Sequence, residues 1–80
     1  MAEDIVISTF KRNATEEVRV GIKEFRGKRY IDFRIYYLDD KSGEWKPTRK
    51  GVSLATDFMP ELKQAVASLE KKLAEETKSA

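Results

Sequence analysis

Between Glu17 and Leu38 apolar and polar residues alternate with a period of two, the pattern of strands that turn one face to a core. Val18, Val20 and Ile22 share one parity, and Arg19, Gly21, Lys23 and Phe25 share the other. Arg26-Gly27 reads as a tight turn in which Gly27 supplies a positive φ and returns Lys28 opposite Phe25. In the next strand, Lys28 to Leu38, Ile31, Phe33 and Ile35 fall on the core parity, with Tyr30, Asp32, Arg34 and Tyr36 on the other. Strict counting also puts Tyr37 on the core parity unless a bulge re-aims it. Ile5 to Phe10 reads as a short strand or ordered arm, followed by a polar stretch from Lys11 to Glu16. Asp39 to Gly43 is turn chemistry, Glu44 to Thr48 a third strand with Pro47 at an edge or bulge, and Val52 to Leu54 a fourth strand set off by Gly51.

After Leu54 the period changes. Thr56 or Asp57 can cap a helix, Pro60 fits its first turn, and Met59, Leu62, Val66, Leu69 and Leu73 recur at spacings of three and four as far as about Glu76. The expected class is therefore α+β, a four-stranded antiparallel sheet followed by one long amphipathic helix. The boundaries are a short arm or strand over 1–16, a domain over 17–76 and a tail over 77–80.

Length changes how that helix is read. Eighty residues make one small domain with no Cys or His to staple it. Self-association is expected, with Met59, Leu62, Val66, Leu69 and Leu73 serving both as core and as dimer interface. The acidic start, MAEDIVIS, is unlike a signal peptide, and no apolar run approaches membrane-spanning length. An intracellular protein with no membrane partner is expected.

Charge sharpens the sheet. The net charge is only +2, but ten bases face five acids from Arg19 to Lys50, whereas four bases face five acids from Ala55 onward. Basic side chains that share strands and turns with Phe, Tyr and Trp suit single-stranded nucleic acid, whose phosphates need neutralising and whose unpaired bases need surfaces to stack on. An ordinary solvated sheet face is the alternative. With neither His nor Cys, a conventional triad, a thiol nucleophile and a zinc centre are excluded. Asp39-Asp40 beside Lys41 reads as turn residues, none of the four glycines stands in a phosphate-loop pattern, and neither enzyme activity, metal nor cofactor is expected.

Several ordered blocks then resemble one family: Val18-Arg19-Val20, Lys23 to Lys28, Ile31-Asp32-Phe33-Arg34, Gly43 to Pro47, and Arg49 to Leu54 with the helix that follows. From about Glu17 to Leu62 the chain resembles the C-terminal domain of the transcriptional coactivator positive cofactor four and its shorter bacterial relatives. The resemblance implies a curved four-stranded antiparallel sheet backed by a helix, a homodimer, and binding of single-stranded or melted DNA in transcription, replication or repair. It places base stacking on Phe25, phosphate or base contacts on Lys23, Arg26, Lys28, Arg34, Lys46, Arg49 and Lys50, and a smaller platform on Tyr37 where family members often have Trp. Arg19 joins these by parity.

The short stretch before Glu17, unlike the long Ser-rich and acidic region of the eukaryotic coactivators, implies a minimal bacterial-type member. Such a protein is expected in the cytoplasm with the nucleoid; a eukaryotic one would be nuclear. RNA in place of DNA, and an acidic partner from the transcription machinery docking on the basic sheet, stay open. So do packing roles for Tyr30 and Tyr36 and a surface ion pair for Arg34 with Asp32, while Trp45 is expected to pack under the hairpin.

Overall fold

The computed structural model describes residues 4–79; residues 1–3 of the expected arm and residue 80 of the expected tail lie outside them. Four antiparallel strands, β1 (Ile5–Asn13), β2 (Glu16–Phe25), β3 (Lys28–Leu38) and β4 (Trp45–Ala55), pair in chain order, and a 3₁₀ turn (Thr56–Phe58) leads into α1 (Met59–Ser79). The expected four-stranded sheet and single helix are present, but two strands differ from the sequence reading.

β1 is a full strand. It continues through Lys11 and Arg12 to Asn13, because the pairing with β2 supplies backbone partners that a polar sequence does not announce. Asn13 then closes the turn, accepting from the Thr15 backbone N–H at 3.0 Å and donating to Glu16 at 2.7 Å. The expected third and fourth strands are one strand, β4. Arg34 pairs with Gly51 and Tyr36 with Pro47, so Thr48, Arg49 and Lys50 bulge opposite the single residue Ile35. Gly51 does not break the strand; a Cβ there would collide with the Phe33 carbonyl oxygen, so only glycine allows the two backbones so close. Gly21 plays the same part against the Ile5 carbonyl, beside the β1 irregularity at Ile7.

β2 and β3 run in unbroken register from Glu16↔Tyr37 to Phe25↔Lys28, so the two parities become two faces. One is apolar. Ile7, Val20, Ile22, Ile31 and Phe33 from the sheet, with Met59, Leu62 and Val66 from α1, line a cleft of about 570 Å³. The helix leans over this face without closing it, and α1 runs to Ser79, three residues beyond its expected end. Among the described residues Ile31 is the one buried apolar side chain, while Ile5, Ile7, Phe10, Met59, Val66, Leu69 and Leu73 are exposed. The radius of gyration of 15.5 Å exceeds the roughly 12 Å of a compact domain of this length.

Candidate nucleic-acid interface

The second face is polar, and its centre is an ionic network rather than a row of free cations. Asp32, only 4% exposed, accepts two hydrogen bonds from Arg34 (3.0 and 3.2 Å) and one from the Ser53 hydroxyl (2.6 Å), with the Lys23 ammonium at 3.5 Å. Burial pushes the Asp32 carboxyl up, but the hydrogen bonds from Arg34 and Ser53 and the charges of Lys23 and Arg34 outweigh it and hold the group below the usual carboxylate range. The hydrogen bonds to Asp32 in turn raise Arg34. Glu17, also buried, accepts from Arg19 Nε at 2.6 Å, and the Arg19 guanidinium lies 4.1 Å from the centre of the Tyr36 ring.

Arg34 also holds the bulge. Its Nη1 donates to the Thr48 carbonyl at 3.1 Å, and the Thr48 hydroxyl donates to the Ile35 carbonyl at 2.7 Å and accepts from the Lys50 backbone N–H at 3.1 Å. Arg49 and Lys50 are thereby displayed, exposed, on the outer edge of the sheet with no ion pair among the described residues. Arg34 acts on them as a positioning residue; its side chain is only 18% exposed.

At one end of this face stands Phe25. It is 59% exposed, and with Tyr30, Lys23 and Ser53 it lines an open cleft of about 270 Å³. The turn that follows has positive φ at both central residues, Arg26 (51°) and Gly27 (78°), the conformation that matches strand twist in a two-residue hairpin. It carries the Arg26 guanidinium over the Phe25 ring at 5.1 Å. Lys28, opposite Phe25, and Arg29 are exposed and unpaired among the described residues. Tyr30 is the member of this cleft that sequence reasoning left undecided. Its signal is parity, since it pairs directly with Lys23 and so shares the face of Phe25.

The remaining expected residues lie elsewhere. Tyr37 is 40% exposed and pairs with Lys46 on the apolar parity, at the far end of the hairpin from Phe25, about 30 Å away at roughly 3.3 Å per residue. No bulge on β3 turns it over; the irregularity sits on β4. Tyr37 is thus neither core nor a neighbour of Phe25. Lys46 is held at 2.7 Å by Asp39, and the hydrogen bond between them raises the ammonium and lowers the carboxyl. Asp39 is a turn organiser, accepting also from the Lys41 backbone and the Ser42 hydroxyl. Trp45 pairs with Leu38 on the polar face, away from the helix, with the Lys11 ammonium 5.1 Å from its ring centre. The expected packing under the hairpin therefore gives way to a half-buried ring met by a cation.

A curved antiparallel sheet with a C-terminal helix on one face and a cation-edged aromatic face on the other is the architecture of a coactivator-type domain. Residues 12–65 match the family described as Transcriptional Coactivator p15 (PC4), and the chain belongs to that family. Over 44 residues it is 50% identical to the RNA polymerase II transcriptional coactivator SUB1 of Saccharomyces cerevisiae, a match covering 55% of this chain and 15% of that protein. With the coactivator KIWI of Arabidopsis thaliana it shares 32% identity over 74 residues, covering 92% of this chain and 64% of the relative. The chain thus spans less than two thirds of the curated relatives it matches.

Among solved structures, a PC4 homologue from Burkholderia pseudomallei superposes with a TM-score of 0.75 at 27% identity, covering 82% of this chain and 88% of that one. A bacteriophage T5 homologue of the eukaryotic coactivator PC4, implicated in recombination-dependent DNA replication, gives 0.61 at 28% identity, covering 95% and 81%.

Proposed function

We propose that the chain is a sequence-tolerant binder of single-stranded or melted DNA that acts as a homodimer. The observation that carries the reading is the Phe25 cleft: an exposed phenyl ring at a hairpin tip, ringed by Lys23, Arg26 and Lys28, with Tyr30 as its second wall. A ring presented to solvent among cations stacks any base, whereas a duplex keeps its base faces stacked on one another and withholds them. Arg49 and Lys50 on the bulge extend the cationic edge. The names of the relatives support a setting in transcription or replication.

Dimerisation is supported by surface area. The single chain exposes 6692 Å², against about 4,900 Å² for a folded monomer of 9.2 kDa. The excess is more than the roughly 800 Å² each partner contributes to a standard interface. Much of it is the apolar face of the sheet and the α1 stripe of Met59, Val66, Leu69 and Leu73, which a second copy would cover.

The test is a competition titration with single-stranded DNA, duplex DNA and RNA of one sequence at two salt concentrations. The expected result is preference for the single strand, with log affinity falling against log salt by about 0.7 per neutralised phosphate. Equal affinity for single strand and duplex would sink the stacking reading and favour an acidic protein partner for the basic sheet. RNA binding as tightly as DNA would remove the restriction to DNA.

Two substitutions separate roles within the site. Phe25→Ala should cost about 1 to 3 kcal/mol of single-strand affinity with an unchanged melting temperature, because the ring packs against little in the protein. Lys28→Gln should reduce the salt slope by about 0.7, also without a change in melting, since Lys28 has no ion pair among the described residues to lose. A slope equal to wild type would take Lys28 off the phosphate path.

A further inference from the structure

The polar face has a second aromatic cluster at the end opposite Phe25. Tyr36 and Trp45 lie on that face by register, through the pairs Tyr36↔Glu17 and Trp45↔Leu38, and each ring is met by a cation, Arg19 at 4.1 Å and Lys11 at 5.1 Å. Lys11 belongs to β1 and Trp45 to β4, the two edges of the sheet. In a flat sheet these edges stand about 14 Å apart, three steps of roughly 4.8 Å, so the two long side chains bridge the whole width of the face.

We propose that Trp45, with Tyr36 and the guanidinium stacked on it, is a second base-stacking station, so that one single strand runs along the polar face from the Phe25 cleft to Trp45. This rests on the single-stranded DNA reading above. The indole lies on the face away from the helix, half-buried beside Leu38 and outside the apolar cleft, and its aromatic area, the largest of any side chain, is held partly in reach of solvent by strand pairing. Lys11 has no ion pair among the described residues, so nothing but the ring holds it there. An incoming base takes the place of the ammonium over the indole, and the freed ammonium turns to the adjacent phosphate. At the neighbouring position Arg19 is anchored to Glu17 and offers its guanidinium plane as a fixed surface beside Tyr36. Between the stations lies the Asp32 network, in which Lys23 and Arg34 face one carboxylate and leave a single net positive charge beneath the strand.

The stations are ten residue steps apart along β3, from Lys28 beside Phe25 to Leu38 beside Trp45, or about 33 Å. A stacked strand rises about 3.4 Å per nucleotide, so four nucleotides fall short of the second station even when stretched twofold, and sixteen cover both. Trp45 is the chain's one tryptophan, which makes its fluorescence a site-specific reporter.

Oligothymidylates of four and sixteen nucleotides, end-labelled, are titrated into the unmodified protein, with anisotropy reporting binding and Trp45 emission reporting contact. The sixteen-mer should quench Trp45 emission and bind more tightly than the four-mer, which is too short to join the two stations. Trp45→Leu should weaken the sixteen-mer about tenfold, towards the affinity of the four-mer, and Trp45→Phe should restore most of the loss. Binding of the sixteen-mer without quenching, or with wild-type affinity by Trp45→Leu, overturns the second station and leaves the Phe25 reading standing. Absence of binding by either oligonucleotide overturns both.

Discussion

Asp32→Ala is expected to lower the unfolding free energy by about 3 kcal/mol at neutral pH, the low end of the loss seen when one partner is removed from a buried ion pair. Asp32 is nearly inaccessible and accepts from Arg34 twice and from Ser53 once, with Lys23 alongside. Without it the Arg34 guanidinium keeps a single bond, to Thr48, and its charge is left largely desolvated between β3 and β4. The bulge that presents Arg49 and Lys50 should loosen as well, so on the single-stranded DNA reading the salt slope of binding should fall even below the unfolding temperature. Chemical denaturation at fixed protomer concentration reads the first effect, and a midpoint equal to wild type would show that the network carries no stability.

Asp32 also sets an acid limb. Its folded pKa lies below its unfolded value, so the stabilisation is complete above the unfolded pKa, near 3.9, and is lost as pH falls through the folded one. Wild-type stability should therefore decline below about pH 4. In Asp32→Asn the neutral-pH stability should be lower and that decline shallower, because one of the groups that drives it is gone.

The second large effect concerns assembly. On the homodimer reading, Leu69→Asp is expected to convert the protein to monomer at concentrations where that reading has wild type sedimenting as a dimer. A carboxylate buried without a partner costs about 3 kcal/mol or more, and two-fold symmetry counts it twice. Leu69 is 62% exposed on the single chain and touches no core there, so a monomer would tolerate the change. The distal half of α1 should also lose helicity on dissociation, since a lone helix of this length is marginal in water without a packed face. A sedimentation profile and helical signal equal to wild type would place the interface away from α1.

Much of this molecule is legible in its residues because a period is a local property. Two-residue alternation puts Val18, Val20, Ile22, Ile31, Phe33 and Ile35 on one face, and the β2–β3 register confirms every one of them. Gly27 marks a tight turn through its tolerance of a positive φ, with Arg26 drawn into the same region by the hairpin, and the stripe from Met59 to Leu73 specifies a helix. Phe25 opposite Lys28 follows from the same counting. The charge excess of the strand region is likewise readable without coordinates.

What alternation does not report is which partner a charge or a ring meets. Arg19, Lys23 and Arg34 belong to one basic parity in the sequence, and the fold places buried carboxylates, Glu17 and Asp32, among them, so that each also holds an internal ion pair. The three-residue bulge of β4 comes from pairing with β3, and it joins two apparent strands into one while moving Arg49 and Lys50 to the edge. Register alone shows that Tyr37 keeps the apolar parity that strict counting gave it while standing exposed, and that Trp45 lies on the opposite face beside Leu38. Residue order alone set the β2–β3 hairpin with its two faces, the helix and the exposed Phe25, because those depend on neighbours along the chain, whereas the extent of β1 and the unity of β4 came from pairing. The tertiary structure alone decided which cations stay free and where the second aromatic cluster lies, because those depend on contacts between strands far apart in sequence.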